Sequence, residues 1–360
     1  RPFNPNKKTK KDIDEASDTY DAVDWLVKNI PNNNGNVGVF GTSYPGFYST
    51  MAALSGHPAI KAVSPQAPVT EWFKGDDFHH NGAFMLCDAF NFYSSFGQPR
   101  PKPTTIGREG FKHYTNDIYK YYLEIGAIKN LSKLMGDSIL FWKDLMNHPN
   151  YDAWWKERDA RVGCKNVKPA MLTVGGLFDA EDCYGAWRLY EAIEKQSPTT
   201  NNKIVMGPWF HGGWSKGDGS YLGNVRFASK TSNYFQENIE IPFFNYHLKG
   251  KGNLDKLAEA SIFFTGENAW RNLATWPPKE MTPTPIYFND NASLSFNKST
   301  SQNSSTNYVS DPSKPVPFTE DVIAGRTREY MTDDQRFASR RTDVITFKTS
   351  VLENDLTLAG

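Results

Sequence analysis

A chain of 360 residues, 39% apolar and 22% charged, holds enough apolar material for a sizeable core, and its length fits about two to three domains. Its 40 basic and 40 acidic residues cancel, so charge gives no argument for nucleic acid or an anionic membrane as partner. No stretch reaches the ~20 apolar residues of a membrane span, and three cysteines (Cys87, Cys164, Cys183) allow at most one disulfide and fix no compartment.

The basic run at residues 7–11 is followed at once by acidic residues and reads as a solvated approach to a helix. Apolar residues Ile13, Ala16, Tyr20, Val23, Val27 and Ile30, three or four apart, predict a helix over 12–30, with acids early and Lys28 late. Residues 37–40 form a short apolar run that stops at Gly41-Thr42-Ser43-Tyr44-Pro45-Gly46; a helix is predicted over 45–54 and a strand over 60–63. Between 67 and 162 aromatic residues are dense and helical spacing returns around 109–135 and 138–158, which predicts a helical cap inserted into the sheet domain. A strand at 170–176, a helix at 182–195 and a strand at 203–206 resume the alternation of a parallel sheet. After about residue 255, short β-like runs at 260–265 and 286–288 alternate with polar loops, a jelly-roll pattern; the Ser/Asn-rich stretch 298–307 reads as a surface loop. The expected architecture is therefore α/β: an α/β-hydrolase sheet domain in two parts (1–66 and 163–255), a cap (67–162), and a β jelly-roll domain (256–360).

A strand that turns sharply into a helix at a serine is how an α/β-hydrolase presents its nucleophile. Gly41 and Gly46 ease the turn, Ser43 is the candidate nucleophile, and the Tyr44 backbone N–H is aimed where an oxyanion would form. The usual pattern has glycine two residues after serine; here that residue is Pro45, which the first turn of a helix tolerates. Asp179 follows Gly175-Gly176 just past one predicted strand, and His211 follows Gly207-Pro208-Trp209-Phe210 just past the next. The order Ser43, Asp179, His211 is the order of α/β-hydrolases. His211 would take the serine proton and later protonate the leaving group, and Asp179 would hold the imidazole tautomer. His79 and His80, adjacent in sequence, lack metal-ligand spacing, and no metal or cofactor is expected.

Gly-x-Ser-Tyr-x-Gly, Gly-Gly-x-Phe-Asp-Ala-Glu-Asp and Gly-Pro-Trp-x-His-Gly resemble the serine hydrolases that group cocaine esterase, X-Pro dipeptidyl-peptidases and α-amino acid ester hydrolases. The strongest likeness is to the α-amino acid ester hydrolases and glutaryl-cephalosporin acylase-like relatives. That resemblance implies a cluster of three carboxylates for the substrate α-ammonium: Glu181 and Asp182 after the aspartate of the triad, and Asp77, rather than Asp76, in the cap. Three convergent carboxylates repel one another, an ammonium relieves that repulsion, and a glutaryl carboxylate would aggravate it. The resemblance also implies a longer region before the elbow, carrying the first strands and a second oxyanion donor, a tyrosine with no match here. Both ends therefore read as truncated. Loss of one such donor costs roughly 10²–10³ in rate. A periplasmic or secreted setting is implied as well.

Three functions follow as expectations. The first is a serine hydrolase acting on small esters or amides whose acyl group carries a free α-amino group, through an acyl-enzyme. The second keeps the triad but cleaves X-Pro peptides. The third is a non-catalytic binding module on a hydrolase scaffold. The expected partner is a small-molecule ester or amide or a short peptide, with no nucleic acid and no membrane span; a homo-oligomer stays open.

Overall fold

The computed structural model describes residues 14–301 and 305–359. The basic run 7–11, the first two residues of the predicted helix 12–30, three residues of the loop 298–307 and Gly360 lie outside them.

Helix α1 (Glu15–Asn29) starts at Asp14, whose carboxylate accepts the Ser17 N–H while the Ser17 hydroxyl accepts the Asp14 N–H, a reciprocal cap. Strand β1 (Val37–Thr42) then leads into α2 (Tyr44–Leu54), and β2 (Ile60–Gln66) pairs in parallel with β1. β3 (Ala170–Gly176), β4 (Asn202–Gly207) and β5 (Ala260–Phe264) extend the parallel sheet in order, and β6 (Ala269–Leu273) closes it antiparallel to β5.

Every residue of β3 is buried, as a central parallel strand covered on both faces requires. On one face α1, α2 and α8 (Cys183–Gln196) pack Val23, Ala52, Ala53, Leu189 and Ile193 against Val63 and Met171. On the other face Phe235, Ile239 and Phe243, from the helical run 231–249, cover Leu172, Val174 and Val205.

Residues 67–162 carry the inserted helices α3 (Leu86–Phe96), α4 (Ile118–Ile125), α5 (Leu131–Met135), α6 (Leu140–Asn147) and α7 (Ala153–Lys156). They enclose an aromatic core that includes Phe90, Tyr93, Trp142 and Trp155. The predicted helical stretches are broken: Gly126 (φ 72°) and Gly136 (φ 73°) end successive helices in the left-handed region, and 109–117 is irregular.

The boundary expected at 255/256 differs as well. Residues 260–264, assigned to the jelly roll from their apolar run, lie inside the main sheet as β5, because Ile204, Val205 and Met206 offer an open parallel edge. Beyond Leu273 the described residues include a short ladder, β7 (Tyr287–Asn289) with β8 (Ser293–Ser295), bridged at Ser293 to Lys348. All three cysteines are unpaired. No described helix is long and apolar enough to cross a membrane.

Candidate active site

Ser43 sits between β1 and α2 at φ 70° and ψ −126°, a backbone conformation rarely held by a residue with a side chain. Strain of this kind persists where its surroundings enforce it. Here the Ser43 N–H donates to the Gln66 carbonyl (2.9 Å) and the Phe47 N–H donates back to the Ser43 carbonyl (3.0 Å). Gln66 is itself fixed, accepting from Trp214 Nε1 (2.8 Å) and donating to Glu240 Oε1 (2.6 Å). Both motif glycines are required by space. A Cβ on Gly41 would stand 2.6 Å from the Pro45 carbonyl oxygen, and one on Gly46 would stand 2.5 Å from that of Gln66. Pro45 lies in the first turn of α2, where its missing N–H removes no helical bond. The Tyr44 N–H occupies the same turn, among the amides that a helix leaves free.

Asp179 and His211 follow the carboxyl ends of β3 and β4, whose last residues Gly176 and Gly207 are in register. The buried Asp179 carboxylate divides its work. Oδ1 accepts the N–H groups of Glu181 (2.8 Å) and Asp182 (3.1 Å), and Oδ2 accepts from His211 Nδ1 (2.9 Å). The other imidazole nitrogen, Nε2, lies 3.5 Å from Glu181 Oε2. Burial works against the imidazolium, yet Asp179, Glu181 and Asp77 outweigh it and push His211 up to about 9. Ser43 and His211 make no hydrogen bond to each other, and among the described residues the Ser43 hydroxyl has no partner.

The three carboxylates expected from two separate stretches come together. The Asp77 N–H donates to the Glu181 carbonyl (3.0 Å) and to Asp182 Oδ1 (3.1 Å). Asp77 is also at positive φ (50°), held there by those contacts. Its carboxyl is pushed up to about 8 by burial and then by Glu181 and Asp76. Asp182 is fully buried and held well above its usual range by that burial and then by Asp77 and Asp76; its Oδ2 makes no hydrogen bond and lies 3.8 Å from His211 Nδ1.

Asp76 does different work. Its two oxygens accept from Thr70 N (2.7 Å), Thr70 Oγ1 (2.9 Å), Glu71 N (2.8 Å) and Gly185 N (2.6 Å), tying the cap entrance to α8. His79 and His80 form a two-residue hairpin strand, and His79 stacks on Phe73 at 4.8 Å. Glu181, Asp182 and His211 each place one potential ligand atom within 4.8 Å of the others. Glu181 Oε1 and His211 Nδ1 are already engaged by Arg326 and Asp179.

Ser43, Asp77 and Glu181 line one cavity of about 310 Å³, walled by Tyr44, Trp72 and Phe92 among other aromatic residues. A larger, mainly apolar cavity of about 590 Å³ lies between α4 and residues 312–323, but it contains neither Ser43 nor the acidic cluster. Two residues of the smaller site were not foreseen. Asp88, from α3, lines the cavity, and Arg326, from far along the chain, donates from Nε to Asp88 Oδ1 (3.0 Å) and from Nη2 to Glu181 Oε1. Neither carries a motif, and 238 residues separate them.

Residues 7–213 match the family described as X-Pro dipeptidyl-peptidase (S15 family), more than half of the chain. The chain belongs to that family. Cocaine esterase from Rhodococcus sp. (strain MB1 Bresler) is 23% identical to this S15 member, over 97% of the chain and 62% of the esterase. An aminopeptidase from the marine sediment archaeon Thaumarchaeota archaeon is 34% identical, with a TM-score of 0.85 over 96% of this chain and 57% of that one. An α-amino acid ester hydrolase is 33% identical, with a TM-score of 0.89 over 100% of this chain and 60% of that one. The α/β-hydrolase sheet with inserted helices is thus shared with these two solved structures, and the chain spans about 60% of the length of the three proteins named.

Proposed function

We propose that the chain carries a serine hydrolase site for esters or amides whose acyl group bears a free α-amino group. The carrying observation is the presence of Asp77 and Glu181 in the wall of the same cavity as Ser43, with Asp182 bonded to the Asp77 amide behind them. Carboxylates forced together in a partly dry site favour a cationic guest and disfavour an anionic one. A glutaryl side chain therefore fits poorly. The names of the two similar solved proteins, an aminopeptidase and an α-amino acid ester hydrolase, both describe substrates with a free amino group beside the cleaved bond.

The proposed chemistry proceeds in two halves. The substrate ammonium settles among Asp77, Glu181 and Asp182 and draws Glu181 away from the imidazole, which gives up its Nε2 proton to solvent and turns that nitrogen to the serine. The Ser43 oxygen then bonds to the acyl carbon as its proton passes to Nε2, and the Tyr44 N–H donates to the oxyanion. His211 returns the proton to the departing alcohol or amine, leaving an acyl-serine. A water, deprotonated by the same nitrogen, bonds to the acyl carbon; the acyl–Ser43 bond breaks, the imidazolium returns that proton to the Ser43 oxygen, and the acid leaves. Asp179 holds Nδ1 throughout.

A fluorophosphonate probe is expected to label Ser43, and Ser43→Ala is expected to lose both labelling and about 10⁵-fold or more in kcat. Absence of labelling, with no turnover that depends on Ser43, would leave only a binding module. The S15 family match favours X-Pro peptides as a second reading, in which the same carboxylates hold a peptide N-terminus. Relative rates on phenylglycine methyl ester and an Ala-Pro-anilide separate the two.

A further inference from the structure

The acidic cavity contains its own cation. Arg326 lies in the segment after the main sheet, and its side chain is 12% exposed. Its guanidinium forks across two carboxylates that line the cavity, Asp88 on the cap and Glu181 beside the sheet. The segment is fastened on both sides of it: the Ile323 carbonyl accepts the Ile118 N–H (3.1 Å), and the Arg328 guanidinium lies 5.1 Å from the centroid of the Phe210 ring, Phe210 being the chain neighbour of His211. This is a planar fork matched to two carboxylate acceptors, a role that guanidinium fills better than an ammonium. Burial raises the Asp88 carboxyl above its usual range, and Arg326 opposes that rise while Glu181 adds to it.

We propose that Arg326 is a specificity-determining residue of the acyl site, which restricts it to acyl groups carrying a single positive charge. Four carboxyl groups converge here: Asp77, Asp88, Glu181 and Asp182. Arg326 takes one oxygen from Asp88 and one from Glu181. What remains for a substrate in the cavity wall is the Asp77 carboxyl, Glu181 Oε2, which rests against His211 Nε2, and the second oxygen of Asp88. Three acceptors match the three donors of one ammonium. A second cationic group on the acyl chain would come to rest beside the Arg326 guanidinium, whose like charge repels it. Like charges this close are unfavourable in a partly buried site, so the wild-type protein disfavours dications. The inference rests on the ammonium-binding reading above and adds the charge count that the site accepts.

The test uses the full chain with three methyl esters near pH ~6.5, where an α-amino group is protonated. Phenylglycine ester is the monocation, lysine ester the dication, and phenylacetic ester the des-amino control. Wild type is expected to prefer phenylglycine ester over both. Arg326→Gln is expected to raise the lysine-to-phenylglycine ratio of kcat/KM by about tenfold or more, since one buried counter-charge is gone. Arg326→Lys, which keeps the charge, is expected to stay close to the wild-type ratio. Fluorophosphonate titration of active sites normalises each preparation, so a poorly folded variant does not distort the ratios. An unchanged ratio in Arg326→Gln, with wild type still preferring the amino ester, overturns this inference alone. An equal shift in Arg326→Gln and Arg326→Lys also overturns it, by making packing the cause. If wild type does not distinguish phenylglycine from phenylacetic ester, the ammonium reading itself fails and the inference falls with it.

Discussion

His211 is placed under opposing demands. Burial disfavours its charged form, while Asp179, Glu181 and Asp77 favour it strongly enough to bring it to about 9. A protonated imidazole cannot take the Ser43 proton, so the site without substrate would be idle at neutral pH. In the proposed complex, an ammonium among the carboxylates would neutralise the charge that holds that proton, and the imidazole pKa would fall on binding. Because turnover needs the neutral imidazole, rate rises with pH through the operative pKa. For the des-amino ester, kcat/KM reports the free protein and is expected to climb until about pH 9. For the amino ester, kcat reports the complex and is expected to level off at least about one unit lower. Coincident profiles for the two esters would remove the coupling between ammonium and base.

The elbow is the element that makes Ser43 available, and its geometry depends on backbone surfaces that nearly touch. A Cβ on Gly46 would come within 2.5 Å of the Gln66 carbonyl oxygen and 3.0 Å of Pro68 Cα, and neither atom belongs to a side chain that can swing aside. Gly46→Ala is therefore expected to cost about 1–3 kcal/mol and to lower Tm by several degrees. An unchanged Tm would mean that β2 and α2 can separate at no cost. The elbow was readable from sequence because strand, turn and helix are contiguous there and each carries its own local signal. So were β3, α8 and β4, whose predicted limits lie within a residue of those observed. The cap was read less well. Its aromatic composition announced burial, but helix α3 went unforeseen, and the predicted runs break at Gly126 and Gly136. β5 was misassigned for a different reason: an apolar five-residue run looks alike in a parallel sheet and in a jelly roll, and only the open edge of β4 decides between them.

At the scale of the whole molecule, the site is assembled from six stretches that the sequence keeps apart. They carry Ser43, Asp77, Asp88, Glu181 with Asp182, His211 and Arg326. Those beside strand ends were legible, because a parallel sheet places functional groups at its carboxyl edge. Asp77 was legible only through family likeness. Asp88 and Arg326 were not legible at all, since each is an ordinary charged residue until the fold sets them against Glu181. The central claim is that these convergent carboxylates hold a substrate ammonium beside Ser43. The most direct measurement compares Glu181→Gln with wild type on phenylglycine methyl ester and its des-amino analogue. The expected result is a loss in kcat/KM at least about tenfold larger for the amino ester, carried mainly by KM, because one charge-assisted contact to the ammonium disappears. An equal loss on both esters would contradict it, and would leave Glu181 as a neighbour of His211 with no part in choosing the substrate.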